Sequence, residues 1–390
     1  MDLDQVFERR NTHSAKWDIM EEYYGVSNDN GIPMHVAEMD FKPPQIIQDK
    51  VREVQEHGFY GYFVDYSDYH EAIRWWMKTR HKWDLGNSKI FATHGLVNGM
   101  ALCVDAFTQS KDEIIMLTPM YHAFFSVLNA TDRVIREFPL YLNDGRYELD
   151  FSAYKKQLSG KEKMLIFCSP HNPGGRVWSI DELKQVAAFC VENDLILVCD
   201  EIHHDLIMPG YKHNVMAVAA PEINDRLIML TANTKTFNIA GAHTGNVIIK
   251  NEELATKFET KSKMLGLSPN SLGLHMATAG YSSEGALWLE NVIPYIERNF
   301  QIFNSGINEI PGCNAIHAEG LYLAWVDFSG TGMSHEDVKD RIEKDAEITT
   351  VYGKNMGKGG ETFMRFNIAT QRSRVVEAVT RMQNAFNDLQ

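Results

Sequence analysis

The sequence predicts an α/β fold: a mostly parallel sheet sandwiched by helices, with a smaller α+β domain after it. Three observations carry that expectation. Five apolar runs, EIIMLTP (113–119), KMLIFCSP (163–170), LILVCDE (195–201), LIMLTAN (227–233) and TGNVIIK (244–250), lack the alternation of a half-exposed strand, so they read as strands covered on both faces. A helical pattern, SIDELKQVAAFCVEND (179–194), sits between two of them and gives the strand–helix–strand order of parallel pairing. After about residue 285 the pattern changes, which marks a second domain.

Each element has a local reason. The 179–194 helix opens on a capping box, Ser179 with Glu182 three residues on, and spaces Leu183, Val186, Ala187 and Cys190 along one face. THGLVNGMALCVDAF places Gly95, Leu96 and Val97 at the start of another helix. Beyond 285 come a long helical stretch interrupted by Pro294, the strand-like GLYLAWVDF, a helix from about Ser334, FMRFNIA, and a C-terminal amphipathic helix.

Composition narrows the partners. The 390 residues are 44% hydrophobic and 23% charged, ordinary for a globular chain that is too long for one simple core. A net charge of −14 with no dense basic block argues against nucleic acid or an anionic membrane as partner, and leaves a small molecule. The N-terminus, MDLDQVFERR, mixes both signs, and no apolar segment approaches a membrane span, so the expectation is a soluble, cytoplasmic protein. Five scattered cysteines form no C-x-x-C pair and read as buried, reduced thiols.

Ligands of open α/β sheets bind beyond the carboxyl ends of the strands. The five runs lead into TPMYHAFF, SPHNPGG, DEIHH, TANTK and NEE, so four of the five ends bring a ring, an amide, an acid and an amine to one rim. Each has an ordinary explanation alone: Asp200 as a cap, Asn172 in a turn, Tyr121 as packing, Lys235 as a solvated lysine. Together they meet the needs of a pyridoxal phosphate (PLP) site. A lysine that forms an imine must lose its proton, and a desolvated pocket lowers its pKa. The pyridine nitrogen needs an ionised carboxylate, Asp200, to stay protonated. Asn172 can donate to the ring oxygen and Tyr121 can stack on the ring. The 5′-phosphate wants N–H groups at a helix start, which Gly95, Leu96 and Val97 supply, and a hydroxyl, which Thr234 supplies.

The motifs SAKWD (14–18), AEMDF (37–41), GFYGY (58–62), TPMY, SPHNPGGRVW, DEIHHDL, TKTFNIAG and FMRFNIA appear in this order across nearly the whole chain. In that order and spacing the chain resembles the fold-type-I PLP enzymes, and within them the MalY/PatB branch of cystathionine β-lyases, which includes cystalysin-type C–S lyases. The resemblance implies a PLP-dependent transferase fold with a large PLP-binding domain over 45–285 and a small domain built from 1–44 and 286–390. It implies Lys235 as the Schiff-base lysine, Asp200 on the pyridine nitrogen, Asn172 on the ring oxygen, Tyr121 over the ring and Arg365 as the clamp for the substrate α-carboxylate. It also implies a homodimer with shared active sites, in which Tyr62 reaches the cofactor phosphate of the other subunit.

Some positions depart from the family pattern. Ala232 stands where many relatives carry a serine hydroxyl for the phosphate, with Asn233 as a candidate substitute. His243 stands where aminotransferase relatives often carry an arginine. His203 resembles the lyase branch, where aspartate-aminotransferase-like enzymes place a tyrosine. The expected activity is α,β-elimination from cystathionine, cysteine or related S-substituted cysteines. The alternatives are an aminotransferase, or a lyase that also binds a regulatory protein. A metal is not expected: on a helix His203 and His204 of DEIHHD diverge, leaving Asp200 with His204 on one face and no evident further ligands. YGKNMGKGGE (352–361) is one residue short of a P-loop and has Gly359 where Ser or Thr should be, so it reads as a glycine-rich loop.

Overall fold

A computed structural model describes residues 2–389. Its centre is a seven-stranded sheet: β1 (Lys89–Thr93), β2 (Glu113–Thr118), β3 (Val134–Pro139), β4 (Glu162–Cys168), β5 (Ile196–Asp200), β6 (Leu227–Thr231) and β7 (Gly245–Ile249). The order across the sheet is β1-β7-β6-β5-β4-β2-β3, parallel except for β7, which runs antiparallel to both its neighbours. All five predicted runs are strands. β1 and β3 escape the sequence pattern because they are the two edges: open on one side, they need no continuous apolar run.

The reversal of β7 rearranges the rim. Its Asn246 pairs with Thr231 at the carboxyl end of β6, and its Gly245 pairs with Thr93 at the end of β1. The residues before β7, His243 and Thr244, therefore reach the ligand rim, while the NEE segment after it lies at the opposite edge. That is why only four of the five strand ends bring their side chains to the ligand rim.

The capping box at Ser179 forms as expected and starts the helix Ile180–Glu192. One expectation is corrected: Pro294 does not interrupt its helix, which runs unbroken from Ser283 to Asn308. The hydrogen bond that Pro294 cannot make would go to the carbonyl of Glu290, an exposed residue, where water can replace it. The buried face of the helix packs along the C-terminal helix Arg372–Ala385. A second, four-stranded antiparallel sheet contains Leu323–Asp327 and Phe363–Asn367, and the N-terminal pair Ile32–Pro33 runs parallel to Ile348–Thr349. No helix among the described residues is long and apolar enough to cross a membrane.

Between the two sheets lies a strap, residues 34–41. Asn238 holds it from the large-sheet side, accepting from Met39 N–H at 2.8 Å and donating to the carbonyls of Met39 and Phe41 at 3.0 and 2.7 Å. Asn367 holds it from the small sheet, donating to the carbonyls of Val36 and Glu38, both at 2.6 Å. At its end Asp40 gathers Lys16 Nζ at 2.8 Å, Trp17 Nε1 at 2.9 Å and Arg9 Nη1 at 2.8 Å.

Burial opposes the charge on Asp40, but the Lys16 ammonium outweighs it and holds the carboxyl down at about 2. A depressed carboxyl stabilises the fold above its unfolded pKa of about 4, and that contribution is lost as the pH falls toward 2. Asp40→Asn leaves the fully buried Lys16 ammonium without its counter-charge. Denaturant unfolding at neutral pH is expected to show a loss of about 3–5 kcal/mol; a loss under about 1 kcal/mol would show that the clamp does not hold the strap.

Candidate active site

The carboxyl rim of the sheet opens into a cavity of about 260 Å³. Lys235 enters it four residues after β6. Its Nζ donates to the Ala37 carbonyl of the strap at 2.6 Å, and the neighbouring Thr236 Oγ1 donates to buried Asp205 at 2.9 Å, which fixes the turn. Burial and the Arg365 guanidinium lower the Lys235 pKa to about 8, against the opposite pull of Glu38 and Asp200. A useful fraction of the amine is therefore neutral near pH 7 to 8.

Asp200, the last residue of β5, is 5% exposed and is anchored by the Ile202 N–H at 3.0 Å. Burial, with Glu201 adding repulsion, raises its pKa to about 7, and no cationic side chain pairs with it among the described residues. A buried carboxyl in this state is completed by a protonated ring nitrogen. The turn after β4 sets Asn172, whose Oδ1 accepts from Arg365 Nη1 at 3.0 Å; this leaves the Asn172 amide donor for the cavity it lines.

Arg365 comes from the small sheet, opposite Trp325. It is 2% exposed, its Nη2 donates to the His35 carbonyl at 3.3 Å, and its Nε has no partner. Burial pulls its pKa down to about 10, so it remains a cation, and among the described residues no carboxylate neutralises it. An unsatisfied, buried guanidinium beside the cavity is a fit for a ligand carboxylate. Tyr121 caps the helix His122–Ala130 and lines the cavity, its phenol pushed up by burial. His203, 2% exposed, is held far below the ordinary histidine range by burial and by Lys235, so its imidazole is neutral.

The far end of the cavity is the start of the helix Leu96–Phe107, with Gly95 at φ 79° in a conformation glycine tolerates. Thr234 and His243 join it there. The structure thus gathers Gly95, Leu96, Val97, Tyr121, Asn172, Asp200, His203, Thr234, Lys235 and His243 around one cavity, with Arg365 bonded to Asn172 just behind. Tyr62 is not brought there: it is 99% exposed.

Two expectations are corrected. Asn233 does not replace the hydroxyl missing at Ala232, because its Nδ2 donates to the Ala277 carbonyl at 2.8 Å and the side chain is buried away from the cavity. DEIHHD is a run of turns, not a helix, because Asp200 captures the N–H of Ile202. His204 consequently meets His81 and Asp205, three groups with ligand atoms within 4.8 Å of one another. Asp205 there already accepts from Trp76 Nε1 at 3.0 Å, His81 Nε2 at 2.8 Å and Thr236 Oγ1, which makes the cluster a brace for the lysine turn. Sequence reasoning misses His94 and Thr244, which also line the cavity; their only signal is adjacency to Gly95 and His243. Nor does anything in the motif AEMDF signal that the Ala37 carbonyl holds the lysine.

The cavity fits PLP on its own features: a helix start for the phosphate, an unpaired acid, a lysine of lowered pKa and an unpaired arginine. The comparisons agree. The family model described as aminotransferase class I and II matches residues 30–382. The cystathionine β-lyase PatB of Bacillus subtilis is 33% identical over 390 residues, 99% of this chain and 100% of the relative. Cystalysin of Treponema denticola, whose crystal structure contains pyridoxal 5′-phosphate, superposes with a TM-score of 0.94 at 35% identity, covering 100% of this chain and 99% of that one. A PLP-bound C–S lyase of Staphylococcus hominis superposes with a TM-score of 0.92 at 29% identity, covering 99% and 98%. The chain belongs to the aminotransferase class I and II family of pyridoxal 5′-phosphate enzymes, on the side of it occupied by PatB, MalY and cystalysin.

Proposed function

We propose that this enzyme is a carbon–sulfur β-lyase that splits L-cystathionine, L-cysteine or related S-substituted cysteines into pyruvate, ammonia and a thiol. The observation that carries the reading is the single carboxylate clamp. Arg365 can take one α-carboxylate, while the described residues lining the cavity include no arginine and no lysine besides Lys235. An aspartate- or glutamate-type substrate would bring a second carboxylate with no charge of its own to balance it, and these lining residues offer no further Arg or Lys for it; the distal carboxylate of cystathionine is balanced by its own ammonium, and cysteine has no second carboxylate. The relatives with matching length support the same chemistry.

Bound PLP supplies the electron sink for the substrate Cα. The protein does the rest. Arg365 binds the α-carboxylate, as a bidentate fork. Lys235, which would hold the cofactor, is suited by its lowered pKa to take the substrate Cα proton on Nζ. Asp200 would face the pyridine nitrogen and keep a proton there, and the Asn172 amide would be free to donate to the ring oxygen. Tyr121 would lie against the ring, and His203, neutral, adds no charge that would compete with Lys235. The β-thiolate is a competent leaving group that departs and takes up a proton to become the thiol, and one water then hydrolyses the remaining three-carbon fragment to pyruvate and ammonia.

The enzyme works as a homodimer in which Tyr62 reaches the second subunit's cofactor phosphate. Support comes from the surface: Phe59, Tyr60, Tyr62 and Val64 are 78%, 72%, 99% and 82% exposed in one short segment, an apolar patch that a second copy would cover. It works in the cytoplasm, in keeping with five buried cysteines that form no disulfide.

With L-cystathionine and no keto acid, the holoenzyme is expected to release pyruvate and a free thiol in equal amounts. Strict dependence on an added keto acid would move the assignment to aminotransferase. Arg365→Ala should lower kcat/KM by roughly 2–5 kcal/mol, the range for truncating one partner of a buried charged pair; an unchanged kcat/KM would remove Arg365 from the site. Mixing Lys235→Ala with Tyr62→Ala subunits tests the shared site. Heterodimers, verified with two tags, should regain activity because one site carries both lesions and the other neither. With Tyr62→Ala alone shown to be severely impaired, tagged heterodimers no more active than the parents would refute the cross-subunit role of Tyr62.

A further inference from the structure

Among the described residues, the phosphate end of the cavity has no arginine or lysine. A phosphate monoester ionises a second time at about pH 6, so it arrives with close to two negative charges. The helix Leu96–Phe107 offers it the N–H groups of its first turn, which no side chain caps. The segment before β7 presses against that helix start: a Cβ on Gly245 would lie 2.9 Å from the Gly95 carbonyl carbon and 3.0 Å from Leu96 N, so the approach requires glycine.

That approach delivers two side chains. His243 sits at φ 46°, in the left-handed region, and its Nδ1 is 4.0 Å from where a Cβ on Gly95 would be. Histidine is among the few non-glycine residues enriched in that region, and strain of this kind collects at ligand sites. Thr244 is 2% exposed and its Oγ1 has no hydrogen-bond partner, a cost that an anionic oxygen would relieve. His94 lines the same end. The other titratable groups lining the cavity are Tyr121, Asp200, His203 and Lys235. The helix Ser271–Gly280 meets the segment through Asn270 and Gly273, neither of which titrates. Tyr62 of a second subunit would add a hydroxyl and no cation.

We propose that this end is a proton-linked phosphate-monoester subsite: protonated His243, with His94 beside it, supplies the positive charge, and the cofactor is held less tightly as the imidazoles deprotonate. A guanidinium would keep its charge throughout, whereas an imidazole changes charge between about pH 5 and 8. The inference rests on the cofactor and not on which reaction it serves.

The test compares pyridoxal 5′-phosphate with pyridoxal, which shares the imine chemistry at Lys235 and lacks the phosphate. Dissociation constants for both are measured on the apoprotein by fluorescence quenching from pH 6 to 8.5. The advantage of the phosphorylated form is expected to shrink roughly tenfold or more between pH 6.5 and 8.5, the linkage of at least one proton. His243→Arg should abolish most of that fall, leaving only what the phosphate's own ionisation and His94 contribute. His243→Asn, which keeps the left-handed backbone, should make it small at every pH. The phosphate's own ionisation acts in the opposite sense and is common to all three proteins. A wild-type advantage that does not fall with pH, or a fall of the same size in His243→Arg and His243→Asn, would overturn the proposal.

Discussion

The backbone carbonyls of residues 34–41 are the constraint on which the site depends. The Ala37 carbonyl receives Lys235 Nζ and, at 2.9 Å, the hydroxyl of Tyr322, while the His35 carbonyl two residues earlier receives Arg365. The lysine follows a strand of the large sheet and the arginine lies in the small one, so a single bent segment sets their separation. Asn238, three residues after the lysine, and Asn367, two after the arginine, pin that segment from either side. Backbone carbonyls are well suited to the task, since they orient a donor without adding a charge that would compete with a ligand.

The groups so placed are individually unfavourable. Asp200 is a buried acid without a cation, Arg365 a buried cation without an anion, and Thr244 a buried hydroxyl without a partner. Each costs the fold stability unless a ligand completes it. Asp200 and Thr244 line one cavity, with Arg365 just behind it, and the groups that suit them are a pyridinium, a phosphate and a carboxylate, the charges that PLP and an amino-acid substrate carry. Elsewhere buried charges are closed within the chain, as at Asp40 with Lys16 and at Glu319 with Arg176. That contrast separates the site from the network that merely holds the fold.

Much of this was legible in the sequence where one residue does one local job. The five central strands are covered on both faces, so their apolar runs stand out, and the groups at their ends obey the rule for open sheets. Ser179 with Glu182 announces a helix start by itself. The features that stayed hidden depend on position in space. β1 and β3 are edges and carry weaker patterns. Pro294 is tolerated only because the carbonyl it abandons belongs to a solvent-facing turn. Asn233 looks like a hydroxyl substitute until the packing against Ala277 takes its amide. The antiparallel turn of β7, which brings Thr244 to the rim, is a property of pairing that no local spacing encodes.

Lys235, whose Nζ donates to the Ala37 carbonyl, is the residue that must carry the cofactor if the site works as described. Borohydride reduction of the holoenzyme, with digestion and mass mapping, locates the attached group directly. The added mass of a reduced pyridoxal phosphate should fall on the peptide containing Lys235 and on no other. Its appearance on a different lysine, or on none, would contradict that role for Lys235.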